Sequence, residues 1–260
     1  MRDLKLGFKM YSDELGKYEE IVLELYKEQL FSYIELFVNP NTLEYLDGWR
    51  TFKEKINIPF TLHAPHSIYN INLADKNQEE FNKKILNEQI DKYTEIIDAQ
   101  YVVVHPGKGF NIEETVRQLK IINPKRMVIE NKPLISKKTM KPTYRGATVE
   151  EIKYVKDNYN CGFCLDISHC MSTANALNKN PYEYLKEFQS LNPNCYHISG
   201  NKIDSLTDRH LHFKECDWDL DKIFDIVDIS KNITVETRKD CEECFEEYEH
   251  DFKILKNLIN

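Results

Sequence analysis

The chain has 260 residues, 43 acidic against 35 basic side chains for a formal charge of −8, and is 41% hydrophobic. That is enough apolar material for one sizeable core, and the acidic balance excludes a surface coated with Lys and Arg for non-specific nucleic-acid binding. No run approaches the ~20 apolar residues of a membrane helix, and the charged start MRDLKLGFKMYSDELG lacks a secretory apolar stretch. A cytoplasmic monomer with no membrane partner is expected.

In chain order, the first predicted strand is LKLGFKM (4–10). An amphipathic helical stretch over 12–30 follows, with Ile21, Val22, Leu25 and Leu30 among charges. YIELFV (33–38) and IPFTLHA (58–64) are the next strands, and the segment TLHAPH brings His63 and His66. A second amphipathic stretch, 77–97, carries Phe81, Ile85, Ile90, Ile96 and Ile97. YVVVHP (101–106) ends in His105, IEETVRQLKII (112–122) reads as helix, and MVIEN (127–131) places Glu130. From Asn131 to Val149 there is no acid, but Lys132, Lys137, Lys138, Lys141 and Arg145 are present. If Glu130 sits at a strand end, this basic stretch is a loop over a site. ATVEEIKYVKDNY (147–159) is again helical, and GFCLDIS (162–168) delivers Asp166 with His169 just beyond. CYHIS (195–199) brings His197, DRHLH brings Asp208, His210 and His212, and ITVET (233–237) ends in Glu236. A terminal helix over 244–259 carries Phe245, Tyr248, Phe252, Leu255 and Ile259, with His250 on its polar side.

The strands are short, rich in Val, Ile and Phe, and apolar on both faces, as buried parallel strands are. Eight of them alternating with about eight helices is the count of a (β/α)8 TIM barrel, expected here as one domain over 1–260. A doubly wound sheet would bring together only the strand ends at its switch point, not all of them.

A His or an acid at nearly every strand end reads as one convergent metal site, since unpaired buried acids are costly and the runs are otherwise apolar. Oxygen and nitrogen donors suit Zn²⁺, with Mn²⁺ or Fe²⁺ as competitors, and their number exceeds one ion's needs, pointing to two or three. Asp208 and His210, two apart, share a side if their segment is extended. Asp166 and His169 straddle a strand end and the turn after it. The seven Cys are odd in number and lack framework spacing, which fits a reducing compartment. The pairs Cys161/Cys164 and Cys241/Cys244 lack basic neighbours and read as small buried hydrophobes rather than zinc or redox centres.

The pieces HAPH…YNINL, VVVHPGKG, VIEN, GATVEEI, LDISH, YHIS, DRH and VET occur in this order from residue 58 onward. In this the chain resembles the endonuclease IV family within the xylose-isomerase-like barrels. The resemblance implies that His63 or His66, with His105 and Glu130, holds one ion. Glu130 would bridge to a second ion held by Asp166, His197 and Glu236, and His169, Asp208 and His210 would hold a third. It implies metal-assisted phosphodiester hydrolysis of DNA at abasic sites. Glu130 and Glu236 would orient the attacking water, Lys137, Lys138 and Arg145 would hold flanking phosphates, and Tyr69 or Tyr144 would stack at the mouth. The chain departs from the family in its first strand, LGFKMYS, which has no His, and after LF, where no Arg-bearing loop follows. The alternative is a sugar or sugar-phosphate isomerase or epimerase using one ion on Glu130, Asp166, His197 and Glu236. A non-catalytic metal-binding barrel is a third reading.

Overall fold

The computed structural model describes residues 4–239 and 245–258. Cys241, Cys244 and Ile259 lie outside them. Eight parallel strands close into a barrel in sequential order: β1 Lys5–Tyr11, β2 Tyr33–Phe37, β3 Phe60–His63, β4 Val102–Val104, β5 Met127–Glu130, β6 Gly162–Asp166, β7 Cys195–Ile198 and β8 Asn232–Val235. This is the (β/α)8 architecture expected from the alternating pattern. Leu6, Phe8, Ile34, Leu36, Leu62, Ile129, Leu165, Tyr196, Ile198 and Val235 form its apolar outward layer, packed under the helices. Among the described residues no helix is long and apolar enough to cross a membrane.

The helices follow as α1 Leu15–Lys27, α2 Leu46–Ile56, α3 Glu79–Lys84, α4 Asp91–Ile96, α5 Ile112–Ile122, α6 Val149–Asn158, α7 Ile167–Ala176, α8 Pro181–Gln189, α9 Leu220–Ile226 and α10 Glu246–Asn257. The amphipathic stretch 77–97 is α3 and α4 joined by a π-helical segment, Ile85–Ile90. The sequence pattern missed α2, α7, α8 and α9. Helix α2 is short, yet its Trp49 is fully buried and donates its indole N–H to the Ser12 carbonyl at 2.8 Å. Helix α7 corrects the expected turn after LDIS. Asp166 is its N-cap, accepting from the His169 amide at 2.7 Å, so the chain passes from strand to helix without a loop.

Strand periodicity then sorts the barrel interior into layers. Side chains two residues apart point the same way, so the residues inward at the C-terminal mouth stand above a second inward layer. That lower layer includes Val103, Val128, Cys164 and Cys195, which form a small apolar cluster of their own. Tyr33 fills the space across from Gly7: a Cβ on Gly7 would lie 2.2 Å from the Tyr33 ring, and the Tyr33 hydroxyl is 2.8 Å from Thr234 Oγ1. The glycine is required by volume, not by backbone conformation. Cys164 is buried and Cys161 half-buried, and both are free thiols, in keeping with the hydrophobic reading of that pair.

Candidate metal centre

Register sets the chemistry-bearing residues at matching heights. Lys9 pairs with Glu35, Phe37 with His63, and Asp166 with His197. Their side chains, joined by His105, Glu130, His169, Asp208, His210 and Glu236, converge at the C-terminal end of the barrel. Most of them line a cavity of about 300 Å³. Among the described residues, four overlapping groups could hold a metal ion: His63, Glu130 and His197; Glu130, Asp166 and His169; Glu35, His197 and Glu236; and His169, Asp208 and His210. Within each group one ligand atom per residue lies within 4.8 Å of the others.

Backbone carbonyls set which imidazole nitrogen faces inward. His63 Nδ1 donates to the Ala64 carbonyl at 2.8 Å, leaving Nε2 3.1 Å from Glu130 Oε2. His169 Nδ1 is tied to the Asn131 carbonyl at 2.9 Å. His210 Nδ1 is tied to the Glu236 carbonyl at 2.7 Å, leaving Nε2 2.6 Å from Asp208 Oδ2. His197 is oriented by a carboxylate instead: Nε2 lies 2.9 Å from Glu35 Oε2, so Nδ1 looks toward Glu236 Oε1 at 3.0 Å. These ties match the outer contacts that orient metal-ligating imidazoles. Asn131 also clamps β5 to β6: its side chain accepts from the Asp166 amide at 2.7 Å and donates to the Asp166 carbonyl at 3.0 Å.

The fit to a cation rests on buried donors with spare capacity. Among the described residues, Asp166 Oδ2, His197 Nδ1 and Glu35 Oε1 are buried and make no hydrogen bond, although they lie 3.3, 3.0 and 3.4 Å from His169, Glu236 and Lys9 in turn. Buried polar atoms are ordinarily satisfied, and a divalent ion among these oxygen and nitrogen donors would satisfy them. Charge coupling is strong. Burial holds His63, His66 and His105 below the usual imidazole range, the neutral state that can offer a lone pair. Burial also opposes charge on His169 and His210. There, however, Asp166 and Asp208 outweigh it, pushing the two up to about 10 and about 9. Asp166 itself is pushed up to about 6, mainly by burial.

The expected residues divide into those the structure brings together and those it does not. Glu130, Asp166, His169, His197, Asp208, His210, Glu236 and His63 fall in the four groups. His105 falls in none, although its Nε2 is 3.0 Å from Glu130 Oε2. His66 stacks on the His105 ring at 4.4 Å, so of the two histidines left open by the sequence it is His63 that reaches Glu130. His210 lies in the left-handed region, with φ 49°, which corrects the extended geometry supposed for Asp208 and His210. A local fold-back brings their side chains together. His212, buried, turns away to Asp251 Oδ2 at 2.7 Å and anchors α10. Lys137 and Tyr144 line the cavity. Lys138 is exposed and outside its lining. Arg145 pairs with Glu151 at 3.1 Å, and the Tyr69 hydroxyl donates to Asn39 at 2.7 Å; neither is among the residues that line the cavity.

Three site residues escaped sequence reasoning: Lys9, Glu35 and the inward role of Lys132. Lys9 pairs with Glu236 and lies 3.4 Å from Glu35, which is fully buried. A signal existed. Both interrupt otherwise apolar strands in phase with inward positions, as Gly7-x-Lys9 and Tyr33-x-Glu35. Lys132 was legible only as part of a basic loop.

Comparison with known proteins agrees with this fold. Residues 23–258 match the family described as Xylose isomerase-like TIM barrel. A protein of Thermoplasma volcanium named "Probable endonuclease 4" is 25% identical over 166 residues, a stretch that is 62% of this chain and 59% of the relative's length. The structure of endonuclease IV from Thermus thermophilus superposes with a TM-score of 0.72 at 18% identity, covering 98% of both chains. D-psicose 3-epimerase from Clostridium cellulolyticum superposes with a TM-score of 0.66 at 12% identity, covering 99% of this chain and 100% of that one. At these identities the two structures share the fold alone. With more than half its length matched, the chain belongs to the xylose isomerase-like TIM barrel family.

Proposed function

We propose that the protein is a divalent-metal-dependent phosphodiester hydrolase that cuts DNA at abasic sites. The observation that carries this reading is the His169–Asp208–His210 group beside the groups centred on Glu130 and Glu236. A one-ion isomerase has no use for that third donor group. Similarity to the curated endonuclease relative supports the same direction.

Zn²⁺, Mn²⁺ or Fe²⁺ held by these donors supplies Lewis-acid stabilisation of phosphoryl oxygens and a nucleophile usable near neutral pH. The chain's own residues do the rest. Glu130 joins three of the imidazoles: His63 and His105 meet its Oε2 at 3.1 and 3.0 Å, and His169 Nδ1 is 3.2 Å from Oε1. It therefore fixes how the donor groups sit relative to one another. Glu236 lines the cavity and is the second carboxylate suited to orient water. Lys9 and Glu35 hold Glu236 and His197 in place from behind. Lys137 and Tyr144 at the rim meet the sugar-phosphate chain, Lys138 adds charge outside it, and an abasic nucleotide enters the cavity readily because it has no base to unstack.

The cavity volume favours one other reading. About 300 Å³ also admits a free monosaccharide, as a ketose epimerase of this family would need. The test is direct. The metal-loaded protein should incise duplex DNA 5′ to an abasic site. Untouched abasic DNA with every metal, together with interconversion of a ketose or sugar phosphate, would establish the epimerase instead.

A further inference from the structure

Lys132 carries a positive charge into the donor cluster. It is buried, and its amide is fixed by a hydrogen bond to the Gly146 carbonyl at 3.1 Å. Its ammonium lies 3.0 Å from Glu130 Oε1, 3.2 Å from His105 Nε2 and 3.4 Å from His169 Nε2. An ammonium has three N–H bonds and no acceptor; Glu130 Oε1 accepts one of them, and two imidazole nitrogens lie within 3.4 Å of it. A carboxylate oxygen and two imidazole nitrogens around one cation are also the donor set that a divalent ion takes once those nitrogens are deprotonated. A lone pair on His105 Nε2 cannot serve both, and the two positive charges repel each other at this range.

We propose that Lys132 is an internal competitor for the ion position formed by His105 and Glu130. The ammonium and the ion draw on the same donors, so one excludes the other. Loading the position turns the ammonium outward into the cavity that Lys132 lines, where an anionic substrate group can take it up. The inference rests on the metal-dependent reading of the site but not on the substrate. Lys9 provides the contrast. Among the described residues its ammonium pairs with the carboxylates Glu236 and Glu35 and lies over the Phe37 ring, with no imidazole nitrogen in its contacts, so it occupies no position of this kind.

The test is a zinc-binding isotherm of the metal-stripped protein in chelator-buffered solution, with bound zinc counted by atomic emission and no DNA present. Lys132→Met, which keeps the stem and removes the charge, should fill its weakest position at about tenfold lower free zinc than the wild type or less. Lys132→Gln should shift the same way. An unchanged or weakened isotherm in a folded variant overturns the proposal. The wild type gives an independent reading through the 15Nζ resonance of Lys132. Protected while the buried ammonium is held against Glu130, this resonance should lose its protection on zinc loading, and its persistence at zinc saturation overturns the proposal whatever the variants do. A shifted isotherm in a protein that leaves abasic DNA intact sinks the hydrolase reading and leaves this one standing. A wild type that binds no zinc sinks this one.

Discussion

The two flanks of the mouth meet the same electrostatic problem by different means. Along the arc from β3 to β6, carboxylates face imidazoles whose outer nitrogens are tied to backbone carbonyls, His63 to Ala64 and His169 to Asn131, so that the Nε2 atoms point inward. Along the arc β8–β1–β2, a covalently attached cation already sits among the acids. Lys9 contacts Glu236 and Glu35, and Glu35 in turn receives Thr234 Oγ1 at 3.0 Å and holds His197. Burial disfavours charge on Lys9, but Glu236 and Glu35 more than reverse this and keep it protonated. Each arc carries an attached ammonium, but Lys132 in the first is set against imidazole nitrogens as well as Glu130, whereas Lys9 in the second is paired with the carboxylates Glu236 and Glu35. An ion can compete for the first set of donors, so in that sense the first arc is exchangeable and the second permanent.

The largest expected effect tests the exchangeable arc. Glu130→Gln replaces the carboxylate shared by His63, His105 and His169 with an amide that carries no charge. Bound metal, counted by elemental analysis, should fall, and hydrolytic rate should drop by about 10²-fold or more. Full metal content and full rate would show that Glu130 does not join the groups.

The permanent arc is tested through stability. Lys9→Met leaves Glu236 and Glu35 buried with one cation fewer, and breaking a buried ion pair from one side costs about 3–5 kcal/mol. The denaturant midpoint should fall accordingly, and added Zn²⁺ should recover part of the loss by lending charge to Glu236. A midpoint within error of the wild type would mean that the two flanks do not differ in this way.

The smallest effect lies outside both arcs. Replacing Lys137, Lys138 and Lys141 together by Ala should lower the salt slope of abasic-DNA binding by about 0.9 for each phosphate that is no longer neutralised. It should leave bound zinc unchanged. His250→Ala is the control, since His250 is exposed on α10 and should alter neither quantity. A salt slope equal to the wild type's would place the DNA elsewhere.

Local pattern carried a good deal of this. The runs around Val103, Ile129, Leu165 and Ile233 are strand-like because both faces are buried, and that burial is written in every residue of the run. Their polar last residues followed from the same reading, since a strand's apolar run ends where the mouth begins. Helices α2, α7, α8 and α9 were harder. α2 mixes Trp49 and Phe52 with charges over barely three turns, and α7 is buried on nearly all sides, so it has no polar stripe to reveal a helical period. Arg145 and Tyr69 show the same limit at the site: each is chemically suited to a phosphate or a base, but Glu151 and Asn39 hold them elsewhere.

By itself the sequence determined the barrel and the end of it that carries the chemistry. Burial and alternation are properties of each strand alone, and parallel strands in a ring have no choice about where their C-terminal ends meet. Tertiary structure alone decided which atoms face one another. β3 ends at His63, which sends that ring to Glu130 and leaves His66 stacked on His105. Strand register put Lys9 beside Glu35, and the fold-back at His210 brought it to Asp208. Such pairings depend on register, on the angle of a strand end and on which carbonyl lies within reach of a ring nitrogen. These quantities exist only once segments distant in the chain are packed together.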